Sequence, residues 1–143
     1  MEQQQLMRYA SVLAANPAET YRQIDIVGRA AGGDPHALVG LLYEEGVAAL
    51  RTAAWAVERG NYAVRGERVA RATAILFALE AGLDFEKGGD VSKTLATFYH
   101  GLRGQILQAA VGTDPAPFRD AANSLDEIAR AWSSLKTASG PAA

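Results

Sequence analysis

Four short clusters of glycine, aspartate, asparagine and proline constrain this chain more than any other feature. They are Gly32-Gly33-Asp34-Pro35, Gly60-Asn61, Gly88-Gly89-Asp90 and Gly112-Thr113-Asp114-Pro115. Each joins the chemistry of a helix stop to that of a helix start. Glycine adopts the left-handed conformation that ends a helix. Aspartate or asparagine offers a side-chain oxygen to the unpaired N–H groups of the next first turn. Proline is tolerated at the first helical position, where its missing N–H has no partner to lose.

Between these breaks, apolar residues recur every three or four positions. The second segment carries Val69, Ala72, Leu76, Leu79 and Leu83. The third carries Val91, Leu95, Phe98, Leu102 and Ile106, and the fourth Phe118, Ala121, Leu125, Ile128, Trp132 and Leu135. The first, from Pro35 to about Arg59, is apolar over a broader arc that includes Leu38, Leu41, Leu42, Ala49, Ala53, Trp55 and Val57. This is the period of a helix that buries one face. Strand-like alternation of useful length is absent from the sequence. Four helices of about 20 to 25 residues joined by short turns reverse direction at each turn. The predicted fold is all-α, an antiparallel up-down-up-down four-helix bundle over residues 34–136, with an N-terminal capping segment.

The flanks differ from the bundle. Residues 1–33 contain Leu6, Met7, Tyr9, Leu13, Tyr21, Ile24, Ile26 and Val27 without one continuous stripe, and Asn16-Pro17 interrupts them. The expectation is a short helix, a break, and a second short helix or extended stretch, docked on the bundle because its apolar groups need cover. Residues 137–143 are small and polar and read as a flexible tail. Gly46, Gly82, Gly101 and Gly104 fall inside helical patterns, at a cost of about 1 kcal/mol each relative to alanine in an exposed helix. They predict either close helix packing or a groove where another chain lies against the backbone.

Little in the sequence points to chemistry. The 143 residues hold no cysteine, which excludes disulfides and thiolate metal sites. The formal net charge is −2 and no basic cluster stands out, so no nucleic-acid partner is expected. Met1-Glu2-Gln3-Gln4-Gln5 lacks the order of a secretory signal, and no run approaches the roughly 18 apolar residues of a membrane span. A cytoplasmic protein without membrane insertion is expected. His36 and His100 lack the Glu-x-x-His spacing of di-iron bundles, and both read as solvated helix residues. Asp84, Glu86 and Asp90 lack the twelve-residue order of a calcium loop. Glu44 and Glu45 are adjacent, so they point about 100° apart and cannot act as a facing acid and base. The expectation is a non-enzyme without metal or cofactor.

Aromatic residues are more informative. Phe98, Phe118 and Trp132 lie on the stripes and are expected in the core. Tyr43, Phe77 and Tyr99 fall off the strict stripes and hint at a second apolar face, where a ring with a polar tip suits a partly wet binding surface.

The order of motifs resembles the flagellar secretion chaperones of the FliS family. Asn16-Pro17-Ala18-Glu19-Thr20-Tyr21 is similar to that family's Asn-Pro-x-x-x-Tyr opening. Asp34-Pro35-His36-Ala37-Leu38 resembles its Ser-Pro-x-x-Leu helix start, and Leu42-Tyr43-Glu44-Glu45-Gly46 its Leu-Tyr-Asp-Gly run. The stretch from Ala74 through Leu83-Asp84-Phe85-Glu86-Lys87-Gly88-Gly89-Asp90 is most similar, and Leu95, Phe98-Tyr99 and Ala131-Trp132 also fit. The likeness covers about residues 16 to 135. Ala18 stands where the family places an aromatic, and Asp34 replaces its serine while keeping a cap.

This resemblance implies a cytosolic type III export chaperone. Such a protein binds the disordered C-terminal segment of flagellin, prevents premature polymerisation and presents the subunit to the export apparatus. The implied client wraps around the bundle in apolar grooves, and the N-terminal segment covers a groove when the client is absent. The residues expected to touch client or cap are Tyr21, Leu42, Tyr43, Ile75, Tyr99 and Ile106. Tyr43, Ile75 and Tyr99 are chosen for off-stripe apolarity and Tyr21 for the motif, while Leu42 and Ile106 also suit a pure core role. A monomer or weak dimer is expected. The alternative left open is a structural homo-oligomeric bundle with a different client.

Overall fold

The computed structural model describes Gly32 and residues 34–139. The expected capping segment, Tyr21 included, lies outside the described residues apart from Gly32, and so do residues 140–143. Four helices follow one another: α1 Pro35–Glu58, α2 Tyr62–Ala81, α3 Phe85–Ala109 and α4 Ala116–Ser139. Among the described residues there is no strand. The expected all-α four-helix bundle is present. Helix α4 continues to Ser139, into the stretch read from sequence as tail.

The caps explain the boundaries. Asp34 Oδ1 accepts from the backbone N–H of His36 at 2.9 Å, with Pro35 opening α1. Gly60 takes φ 67° and its N–H donates to the carbonyl of Val57 at 3.0 Å, which ends that helix in the left-handed region. Asn61 and Asp114 accept from the N–H groups of Val64 and Ala116 at 3.2 and 2.9 Å.

The turn between α2 and α3 departs from the sequence expectation. It falls at Gly82-Leu83-Asp84, ahead of Gly88-Gly89-Asp90, so Gly82 caps α2 rather than lying inside a helix. Asp84 is the reason. Its Oδ1 accepts from the N–H groups of both Glu86 and Lys87 at 3.0 Å, two orphan donors that a glycine pair could not satisfy. The glycines bend α3 instead: Gly89 sits at φ 51°, ψ −123° within that helix.

Helix α1 packs extensively on α2 and α4, while α3 is held more thinly by α2 and α4. Contacts between α1 and α4 run in opposite directions. Trp132 Nε1 donates to the His36 carbonyl at 2.9 Å, Arg51 Nη1 to Asn123 at 3.3 Å, and Arg119 pairs with Glu58. Against α2, Glu45 accepts from Arg71 at 2.6 Å, and only residues 59–61 join the two helices. Arg65 of early α2 reaches the Gly112 carbonyl past the end of α3 at 2.6 Å, while Glu80 of late α2 pairs with Arg103.

The core is continuous across all four helices. Leu50, Ala53, Leu76, Ile106, Phe118, Ala121, Ala122 and Leu125 are fully buried. Gly46 is one of the tightest points. A Cβ there would lie 2.9 Å from Leu125 Cδ2 and 3.3 Å from Ile75 Cγ2, so this glycine serves close helix packing. Gly101 and Gly104 have open space instead. Three stripe residues expected inside are exposed: Trp55, Val91 and Leu135, the last two by 67% and 60%. Val91 and Leu135 lie where a stripe outruns its neighbour. Glu80, in the last turn of α2, already sits opposite Arg103, so the first turns of α3 extend beyond α2. Leu135 likewise lies beyond Trp132, which faces the start of α1. Trp55 points outward because Ala53, Ala54, Ala56 and Val57 occupy the inward arc around it.

Candidate functional site

The sequence-predicted contact residues come together, but inside the protein. Leu42, Tyr43, Ile75, Tyr99 and Ile106 all belong to the buried cluster, and none is more than 5% exposed. Tyr21 lies outside the described residues. The hydroxyls of Tyr43 and Tyr99 meet at 2.5 Å across the bundle, tying α1 to α3. Burial is the main force raising the pKa of both phenols; their mutual hydrogen bond raises Tyr99 further and moderates Tyr43. Their off-stripe position therefore marks a third packing direction rather than a second apolar face. A helix in a bundle meets a diagonal neighbour as well as two adjacent ones, and a single stripe does not record that direction.

Phe77 is the member of that aromatic group that does reach the surface. The Arg103 guanidinium lies 4.2 Å from its ring centroid, pairs with Glu80, and approaches His100 Nδ1 at 3.3 Å. Tyr62 is arranged likewise, with Arg65 at 4.5 Å. Each guanidinium covers an aromatic face and holds a hydrogen bond, so the flank between α2 and α3 carries apolar rings under fixed cations. The open glycines Gly66 and Gly104 belong to these two helices. Phe85 and Val91 add exposed apolar surface at the kinked start of α3.

A groove of about 500 Å³ opens between α1 and α4, walled by Ala37, Gly40, Leu41 and Glu44 on one side and Asp126, Ala129, Arg130 and Trp132 on the other. His36 closes one end. Its ring stacks on Trp132 with centroids 4.3 Å apart and planes 16° from parallel. Among the described residues, both ring nitrogens are buried without a hydrogen-bond partner. This corrects the reading of His36 as a solvated residue: its ring lies against the indole and both nitrogens are out of water. His100 is exposed, as expected.

Among the described residues, no group of three or more histidine, aspartate or glutamate side chains is placed to hold a metal ion. Among the same residues, no helix is long and apolar enough to cross a membrane. What the geometry offers is a helical scaffold with apolar and aromatic surface on several flanks. The class it defines is that of all-α four-helix bundles.

Sequence comparison narrows the class. The profile of the family described as Flagellar protein FliS matches residues 14–139, and this chain belongs to that family. It is 30% identical to a flagellar secretion chaperone FliS of Vibrio cholerae over 117 residues, covering 82% of this chain and 86% of that protein. It is 30% identical to the flagellar secretion chaperone FliS of Salmonella typhimurium over 122 residues, covering 85% and 90% of the two chains. A Pseudomonas aeruginosa flagellar secretion chaperone, FliSB, is 25% identical over 122 residues, covering 85% and 97%. The family is one of secretion chaperones rather than enzymes.

The arginines over the exposed rings of Phe77 and Tyr62, and Arg59 over Trp55 at 4.0 Å, are not among the residues singled out in the sequence. A signal was available: Trp55 precedes Arg59 by four residues and Tyr62 precedes Arg65 by three, spacings that bring side chains together on a helix. The pairing of Phe77 with Arg103 joins two helices and leaves no such local trace.

Proposed function

We propose that this protein is a cytoplasmic export chaperone that binds the disordered C-terminal segment of flagellin. It prevents premature polymerisation and hands the subunit to the flagellar export apparatus. The observation that carries the reading is the family match across the whole bundle, residues 14–139, together with relatives named as flagellar secretion chaperones. Apolar surface left on α2 and α3 supports it, since an amphipathic client needs a groove with anchors at helical spacing. A disordered client loses about 2–5 kcal/mol of gross interaction energy to ordering, which keeps the complex reversible enough for hand-over.

Because Leu42, Tyr43, Ile75, Tyr99 and Ile106 are buried, contact through them requires the helices to part. We place the client instead over Phe77 and Tyr62 on the α2–α3 flank and over Phe85 and Val91 at the start of α3, all exposed by 44% or more. The buried set supports that surface from beneath. Residues 1–33 compete for it, and their removal raises client affinity.

Titration calorimetry with a flagellin C-terminal peptide tests this. A 1:1 complex is expected, weakened by Phe77→Ser and Val91→Asp and strengthened by deletion of residues 1–33. No heat and no rise in melting temperature at high peptide concentration would reject the chaperone reading. Binding unchanged by both substitutions would move the client to another flank.

A further inference from the structure

The arginines of the bundle fall into two groups. Arg51, Arg65, Arg71, Arg103, Arg119 and Arg130 each reach a carboxylate or a backbone carbonyl. The side chains of Arg59 and Arg68 have no acceptor among the described residues. Arg68 is half-buried, and its Nε is out of water with no hydrogen-bond partner there. A guanidinium N–H left that way is costly. Arg59 is exposed at the end of α1, with its guanidinium 4.0 Å over the ring of Trp55. That indole is itself 48% exposed.

Both arginines lie along the flank where α1 meets α2. Glu45 of α1 pairs with Arg71 of α2 at 2.6 Å, which fixes that flank. Thr52 and Arg59 follow Glu45 at steps of seven and so keep its side of α1. Arg68 precedes Arg71 by three positions and keeps its side of α2. The two helices run in opposite directions from the 59–61 turn, so Arg68 comes level with the stretch from Ala48 to Thr52. Arg59 reaches back toward it over Trp55. The carboxylates nearby are engaged or turned away. Arg71 holds Glu45, Arg119 holds Glu58, and Glu67 lies about 100° round α2 from Arg68.

We propose that this α1–α2 flank binds an acidic helical segment of a second protein, distinct from the client. The charge of the occupant follows from the donors that await it. Each guanidinium can hold a carboxylate through two parallel hydrogen bonds, and carboxylates one turn apart on a helix suit two arginines set along a groove. Trp55 supplies the apolar anchor, already fixed by the cation on its face, and a tryptophan beside arginines is the composition that concentrates binding energy in an interface. The flank is separate from the surface given to flagellin. Phe77 comes nine positions after Arg68, half a turn round α2, so the two surfaces lie on opposite sides of that helix. The chain can therefore hold a client and meet the acidic segment at once.

Calorimetry with two synthetic helical peptides tests this. Both carry the same leucine stripe; one has glutamate and the other lysine at the flanking positions. The full chain is expected to bind the glutamate peptide and not the lysine peptide, more weakly as salt is added. Arg59→Gln or Arg68→Gln weakens binding about tenfold, the loss of one charge-assisted hydrogen bond. Trp55→Ala weakens it by about tenfold or more. Arg130→Gln, which removes an equal charge from the α1–α4 flank, leaves it unchanged. Arg59 and Trp55 are exposed, so their variants read binding even where Arg68→Gln costs stability. Equal binding of the two peptides, no binding of the glutamate peptide at about 1 mM, or indifference to Arg59→Gln and Trp55→Ala overturns the proposal. A rise in affinity on Glu19→Gln with Asp25→Asn gives the flank to the chain's own N-terminal segment and overturns it too. A saturating flagellin C-terminal peptide is expected to leave the affinity unchanged. Competition between the peptides overturns the separate surface, whereas a flagellin peptide that fails to bind counts only against the chaperone reading.

Discussion

The Tyr43–Tyr99 contact sets up a sharp test of how the bundle is held. Both rings are 1% exposed, and the two hydroxyls are 2.5 Å apart. Changing either residue to phenylalanine removes one hydroxyl and leaves the other buried, with its bond across the bundle gone. A buried polar group without a partner costs about 1–3 kcal/mol. In a chain of this size that lowers the melting temperature by on the order of 3–10 °C. Changing both residues removes the orphan as well, and a fully apolar pair of the same shape is close to neutral. The coupling between the two substitutions is therefore at least about 1 kcal/mol, with the double variant more stable than the sum of the singles implies. Urea unfolding of wild type, Tyr43→Phe, Tyr99→Phe and the double variant measures this. Additive losses, or single losses below about 0.5 kcal/mol, would refute the account, because the hydroxyls would then not depend on each other.

The same pair predicts a loss of stability in alkali. Burial raises both phenol pKa values above the ordinary 10.0. The unfolded chain therefore gives up these protons first, so the contribution is whole below about pH 10 and fades as pH rises further. Urea midpoints at increasing alkaline pH should fall faster for wild type than for the Tyr43→Phe, Tyr99→Phe double variant, and parallel curves would count against the assignment. Two glycines make a second contrast. Gly101→Ala meets nothing within 4 Å and should stabilise by about 1 kcal/mol through helix propensity. Gly46→Ala places a methyl 2.9 Å from Leu125 Cδ2, so overpacking of about 1–3 kcal/mol offsets that gain. Thermal unfolding that ranks Gly46→Ala as the more stable variant would show that Leu125 yields more easily than its full burial implies.

Much of the bundle was legible in sequence because caps and stripes are local. Asp34, Gly60, Asn61 and Asp114 act within a few residues of themselves, and each stands at a helix end. The α2–α3 turn was misplaced because two local signals compete there. Gly88-Gly89-Asp90 carries the turn composition, but Asp84 satisfies two backbone donors and starts the helix first.

The candidate site was less legible. The motif order from Asn16 to Trp132 marks the family, but Tyr43, Ile75 and Tyr99 are expected at a contact surface only because they deviate from one stripe. Tyr43 and Tyr99 are 56 positions apart, and nothing near either one records the other.

By itself, then, the sequence determined what short-range physics controls: four helices, most of their ends, the absence of a thiolate site and the family. Only the tertiary structure decided which apolar residues are covered. Burial depends on which helix lies opposite and where that helix stops. For that reason Tyr43 and Tyr99 close the interior, while Trp55, Phe77 and Val91 remain outside.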